Sequence, residues 1–144
     1  MSLLCAPPLP RVSWSQVERY TRCPAQWFLS RRRKPAFVAP SLRFGGAIHV
    51  ALAGFYKGWM RGDRWGLDRM MAAYDQTWLE PLEAPIRFGK DEDEAGLRQM
   101  ASRMLSGFLE GVQPGEIVAV ELPFAVEMEE GLMVSGIADL VEVK

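Results

Sequence analysis

The sequence predicts an α/β domain in which helices come first and a β-hairpin comes last. Three observations carry this. Between residues 13 and 109, apolar side chains recur with the 3.6-residue period of amphipathic helices. After Pro114-Gly115 the period becomes two: Val118, Val120, Leu122, Phe124, Val126 and Met128 alternate with Ala119, Glu121, Pro123, Ala125 and Glu127. Glu130-Gly131 is a turn pair, and a second strand is predicted from Leu132 to Val143.

Residues 1–12 hold Pro7, Pro8 and Pro10 and read as an extended lead-in, with the domain proper spanning 13–144. Ser15 with Glu18 three positions later forms a capping-box pattern, so a helix is predicted to begin there. Pro24 suits the first turn of a second short helix. Residues 35–40 read as loop. From Gly45 to about Met60 a helix places His49, Leu52, Ala53 and Tyr56 on one face, with Ile48, Phe55 and Trp59 flanking. Gly45-Gly46 suggests close packing at its start. Another helix covers about Trp65 to Leu82, and one more runs from Asp93 to Leu109 with Leu97, Met100, Met104, Leu105 and Phe108 inward. Pro123 cannot donate to a ladder, so the first strand is an edge or bulged, and the second is better placed at the sheet centre.

The 144 residues make one domain or a piece of one, and a 49% apolar share is ample for a core. No apolar run approaches the ~18 residues of a membrane span, and the opening MSLLCAPPLP does not read as a signal peptide. A cytoplasmic location is the default. Cys5 and Cys23 form neither a disulfide framework nor a zinc pattern. The net charge of −1 hides a split. Residues 1–72 carry 12 Lys and Arg against 3 Asp and Glu, whereas residues 73–144 carry 5 against 15. Such asymmetry suggests a basic face for a polyanion; the plainer alternative is that the halves neutralise one another in the fold.

Few residues offer chemistry. Asp139 shares one face of the second strand with Ile137 and Val141, and a carboxylate among apolar neighbours is costly unless paired or bound to a metal. The alternative is a strand-end aspartate bonded to backbone or solvent. Gly136 beside it lets another group approach the strand. His49, the single histidine, is either a metal ligand or a satisfied core residue, and no HExxH pattern supports zinc peptidase chemistry. Glu121 would be a further carboxylate if its face looks toward Asp139, and otherwise a solvent-facing strand residue. Glu142 and Lys144 stand at odd offsets from Asp139 and need a bulge to share its face. Arg31, Arg32, Arg33 and Lys34, with Trp27 and Phe28 beside them, form a basic and aromatic patch suited to phosphate and base contacts, or simply a solvated face. Cys23 is most simply a small buried hydrophobe.

Three segments resemble, in order, the RecB-like branch of the PD-(D/E)XK nuclease superfamily, which includes RecB-family exonucleases, AddB-type nuclease domains and nucleases accompanying CRISPR adaptation. Ser13-Trp14-Ser15 through Tyr20, Cys23-Pro24 and Trp27-Phe28 resembles the opening segment. Gly45-Gly46-Ala47-Ile48-His49 to Leu52 is similar to the G-x-x-(V/I)-H-x-x-L helix. Glu121-Leu122-Pro123-Phe124 followed by Gly136-Ile137-Ala138-Asp139 is similar to the E-x-x-F … G-x-(I/A)-D hairpin. The resemblance implies a restriction-endonuclease-like α/β fold and a metal-dependent DNA nuclease or exonuclease of recombination, repair or CRISPR adaptation. Its alternative is a non-catalytic DNA-binding or scaffolding module of the same fold. Asp139 and His49 would be the catalytic, metal-holding residues for Mg²⁺ or Mn²⁺, with Glu121 as an accessory ligand.

The family's (D/E)-x-K strand is expected ten or more residues after the aspartate. The chain is therefore expected to be the N-terminal part of a longer nuclease, with little activity by itself. In some relatives the Cys-Pro cysteine holds a four-iron, four-sulfur cluster, which would give Cys23 that role in the full-length protein. The implied partners are DNA and a helicase, recombination or CRISPR protein. An exposed sheet edge also allows a homodimer.

Overall fold

The computed structural model describes residues 11–32, 36–128 and 132–143. Their order is β1 (Arg11–Ser13), α1 (Trp14–Arg22), α2 (Pro24–Arg32), α3 (Pro40–Met60), α4 (Leu67–Leu79), α5 (Glu94–Gly111), β2 (Glu116–Glu127) and β3 (Met133–Val143). This mixed α/β architecture agrees with the restriction-endonuclease-like fold predicted above. The sheet order is β1-β3-β2, so β3 is central, as Pro123 in its neighbour implied. Residues 1–10 of the lead-in lie outside the described residues; its described end, Arg11–Ser13, pairs in parallel with Met133–Ser135.

The chain divides into two compact units. One comprises the described residues of Met1–Lys34 and Glu121–Ala138; the other comprises those of Pro35–Val120 and Asp139–Lys144. In the first unit α1 starts at Trp14, earlier than the capping pattern predicted. Ser13 is its N-cap and shares a 3.0 Å hydroxyl contact with Ser15. Glu18 is drawn instead to Arg22, one turn on, at 2.7 Å. Pro24 opens α2 as expected. Met128 N–H donates to the Leu132 carbonyl at 2.7 Å and ties β2 to β3. At Gly136 the space of the missing β-carbon is taken by Phe124, whose Cζ would stand 2.7 Å from it.

The second unit holds the apolar core. Ala47, Ala51 and Phe55 of α3 meet Met70, Met71, Tyr74 and Trp78 of α4 and Leu97, Ala101 and Leu105 of α5. Apart from the adjacent Met70 and Met71, each set recurs at intervals of three or four residues and so forms one helical stripe. On α3 the predicted Ala53 and Phe55 are buried and Ile48, Leu52, Tyr56 and Trp59 pack at the margin, while the centre of the stripe runs through Ala47 and Ala51, which let the helices approach closely. On α5, Met100 and Met104 are exposed, and Ala101 takes the inward place between Leu97 and Leu105. α3 begins at Pro40, five residues before Gly45, because proline is preorganised for a first helical turn. Among the described residues, no neighbour crowds the β-carbon positions of Gly45 or Gly46, so the close packing expected there is not found.

Polar contacts lock the helices. The Arg43 guanidinium donates to the carbonyls of Trp78 and Glu80 at 2.9 and 2.8 Å, serving carbonyls that the end of α4 leaves open. Asp93 caps α5 by accepting from Gly96 N–H at 2.7 Å. Arg98 forks onto Asp75 through two 2.8 Å bonds.

Candidate metal centre

Successive residues of a helix stand about 100° apart around its axis. His49 lies two positions from both Ala47 and Ala51, about 200° around the helix, and so faces away from the buried stripe. The core-histidine alternative therefore does not describe it. Its side chain is 43% exposed, and its Nε2 stands 3.8 Å from Oδ1 of Asp139 on β3, which is 75% exposed. Both belong to the second unit. The imidazole and the carboxylate are ninety positions apart in the chain and are brought together by the fold.

The segment after Asp139 continues along the same helix. Burial, then the negative charge of Glu142, holds the Tyr56 phenol above its ordinary pKa. From His49 to Tyr56 the helix rises about 10.5 Å, at about 1.5 Å per residue. From Asp139 to Glu142 an extended strand advances about 10 Å, at about 3.3 Å per residue. The end of β3 and this part of α3 thus keep step. Glu142 also accepts from the Gly115 N–H. Along β3 the exposure alternates through Ile137, Ala138, Asp139 and Leu140, then slips, leaving Leu140 and Val141 both half-buried and Glu142 exposed like Asp139.

A separation of 3.8 Å is too long for a hydrogen bond. Two ligands about 2.1 Å from one Mg²⁺-sized ion stand about 3.0 Å apart when adjacent in an octahedron and about 4.2 Å apart when opposite. The observed gap lies between these values, and an imidazole nitrogen with a carboxylate oxygen is a donor set that Mn²⁺ accepts readily. The two groups would have to shift by about 0.4 to 0.8 Å to take adjacent or opposite places around one such ion. Among the described residues, no group of three or more His, Cys, Asp and Glu could hold a metal.

The other predicted site residues belong to the first unit. Glu121 is half-buried and has φ 55°, a left-handed backbone that a residue with a β-carbon seldom adopts. This strained residue lies two positions before Pro123 and breaks the simple alternation predicted for β2: Ala119, Val120 and Glu121 are all half-buried. Arg31 lies over the Trp27 ring at 4.9 Å and Arg32 over Phe28 at 4.3 Å. Tyr20 meets Trp27 edge-on with centroids 5.5 Å apart. The aromatic side chains thus orient the cations of this patch. Arg33 and Lys34 lie outside the described residues. Cys23 is half-buried at the start of α2, where its sulfur accepts from Gln26 N–H at 3.4 Å, a capping role beyond that of a small hydrophobe.

Sequence reasoning found the imidazole and the carboxylate. It treated Tyr56 only as part of the apolar face, although its place two turns after His49 was the available signal. No described helix is long and apolar enough to cross a membrane.

One family pattern, that of the PD-(D/E)XK nuclease superfamily, matches residues 11–144. No curated protein and no solved structure matches the chain.

Proposed function

Since this chain belongs to the PD-(D/E)XK nuclease superfamily, we propose that it serves a metal-dependent DNA nuclease of the RecB-like branch, with His49 and Asp139 as divalent-ion ligands. The observation that carries this reading is the 3.8 Å approach of His49 Nε2 to Asp139 Oδ1 on an accessible face. Mg²⁺ or Mn²⁺ bound there would lower the pKa of a coordinated water and stabilise charge on phosphate oxygens. Asp139 supplies the hard oxygen and the negative charge. His49 supplies a neutral nitrogen held on a long helix, so that the donor pair is positioned by rigid elements. The ligand set would be completed by the (D/E)-x-K strand that the family resemblance implies.

Within this reading the substrate is DNA, and exonucleolytic action in recombination, repair or CRISPR adaptation is the proposed process. Arg31 and Arg32, braced by Trp27 and Phe28, supply backbone contacts whose strength falls with salt. Cys23 as a cluster ligand belongs to the same proposal. The test is a Mn²⁺ titration of the chain followed at the His49 imidazole by NMR. Selective paramagnetic broadening of His49, weakened at least tenfold in affinity by Asp139→Ala, is the expected result. Broadening that is absent, or identical in the variant, would remove the metal site.

A further inference from the structure

A cavity of about 250 Å³ is lined by Tyr74, Asp75, Trp78 and Leu79 of α4 and by Glu94 and Arg98 of α5. All six residues belong to the second unit, and neither His49 nor Asp139 is among them. We propose that this cavity binds a small organic monocation with an aromatic body and one hydrogen-bonding group, the arylalkylamine class. The inference goes beyond the nuclease reading and does not depend on it.

The fold itself accounts for most of the lining. Tyr74 and Trp78 belong to the apolar core. Asp75 and Arg98 neutralise one another through their two 2.8 Å bonds. Glu94, in the first turn of α5, complements the helix dipole. The Tyr74 hydroxyl has no such account. The residue is 1% exposed, and among the described residues its oxygen is buried with no hydrogen-bond partner. A buried hydroxyl left so has lost its hydration for nothing in return, and native folds seldom tolerate it. Burial raises the pKa of this phenol first; Asp75 and Glu94 raise it further, and Arg98 opposes them. Those three charged groups are the ones that line the cavity, so the phenol oxygen lies on the cavity's side of the helix.

The lining selects the chemistry of the ligand. Tyr74 and Trp78 stack with centroids 5.8 Å apart and planes 19° apart, and with Leu79 they make an apolar wall. Such a wall suits a flat ring, and an indole also attracts a cation. With Asp75 and Arg98 paired, Glu94 is the remaining charge of the lining. Asp91, Glu92 and Asp93 precede it in the chain, and Lys90 opposes them with a single charge. The field on this side therefore attracts an ammonium and repels a phosphate or carboxylate. Pockets for drug-sized ligands hold about 300–1,000 Å³. The smaller volume here leaves room for one ring and a short amine. A hydroxyl on that ring would give the Tyr74 phenol the partner it lacks.

The experiment titrates tyramine into the whole chain and follows the backbone amides by two-dimensional NMR. Tyramine carries the ring, the ammonium and the hydroxyl together. Shifts confined to Tyr74–Leu79 and Glu94–Arg98 are the expected result. Tyr74→Phe removes only the hydroxyl and should weaken tyramine about three- to tenfold, the fold-change of one hydrogen bond. Phenethylamine, which lacks the ring hydroxyl, should bind the unsubstituted chain and Tyr74→Phe alike. Glu94 is exposed, so Glu94→Gln keeps the fold and provides a second test. It should weaken both amines and leave para-ethylphenol, which has no ammonium, unaffected. Absence of confined shifts at millimolar tyramine would overturn the proposal and leave a hydroxyl served by water alone. Tyramine affinity unaltered in either variant, or equal binding of para-hydroxyphenylpropionate, would overturn it as well. The metal site at His49 and Asp139 stands or falls separately, by its own titration.

Discussion

Gly58 gives its side-chain space to Trp65: a β-carbon there would stand 2.7 Å from the indole Nε1 and 2.9 Å from the carbonyl oxygen of Asp63. Gly54, one turn earlier, leaves the same room, with the Trp65 ring 2.5 Å from its missing β-carbon. The two glycines form a shelf on α3 that receives the indole and returns the chain toward α4. Trp65 Nε1 in turn donates to Asp63 at 3.2 Å.

Gly58→Ala should therefore destabilise the chain. Alanine favours a helix by about 1 kcal/mol over glycine, but overpacking against a backbone oxygen and a ring costs about 1–3 kcal/mol. A net loss of up to about 2 kcal/mol in urea unfolding is expected. Gly45→Ala, where no neighbour intrudes, should instead stabilise. Equal effects at the two positions would contradict the shelf.

Tyr74 is 1% exposed, and its hydroxyl has no hydrogen-bond partner among the described residues. Tyr74→Phe is expected to leave stability unchanged or to raise it by about 1 kcal/mol at neutral pH, because an unmet buried polar group is removed. The same substitution should alter the alkaline limb. Burial, followed by the charges of Asp75 and Glu94, raises the Tyr74 pKa above 10.0. Below pH 10 both folded and unfolded chains hold the proton. As pH rises above 10 the unfolded chain releases it first, and stability falls by up to about 1.4 kcal/mol per pH unit. Tyr74→Phe should make that decline shallower, and Tyr56→Phe should do so again, since Tyr56 shifts in the same direction. Thermal melts between pH 9 and 12 read the slopes.

Arg43 is the bolt between α3 and the end of α4. Arg43→Met keeps much of the hydrocarbon stem and removes both donors to the α4 carbonyls. Hydrogen bonds to a charged group contribute about 1.5–3 kcal/mol each, and water will serve the exposed Glu80 carbonyl after the change. A loss of about 2 kcal/mol is expected, together with faster amide exchange at the end of α4. Protection unaltered there would show that the guanidinium does not hold the helix end.

His49→Ala should weaken Mn²⁺ binding without a comparable loss of fold, since the imidazole stands opposite the Ala47–Ala51–Phe55 stripe. Circular dichroism and urea midpoints are expected to move by less than the equivalent of about 1 kcal/mol, the usual range for substitutions away from a core. A large drop in stability would place His49 in a structural role.

Much of this architecture is legible in the residue pattern. Pro123 marked β2 as an outer strand, and Gly136 announced a close approach that Phe124 makes. Asp139 and His49 were identifiable because each is chemically out of place on a largely apolar face. β1 was not legible, because three residues are too few to show a period, and their pairing with Met133–Ser135 defines the strand. The core stripes were displaced because attention to large side chains passes over Ala47, Ala51 and Ala101, which are fully buried. The left-handed backbone of Glu121 had no local signal, since glycine is the residue that normally announces such a conformation.

The placement of His49 on the rear of α3 has an evolutionary consequence. Residues that keep the bundle folded and the histidine proposed to meet an ion are different sets on one helix, so selection can act on either alone. A lineage can lose the imidazole and keep the scaffold intact. The helix can therefore outlive its chemistry.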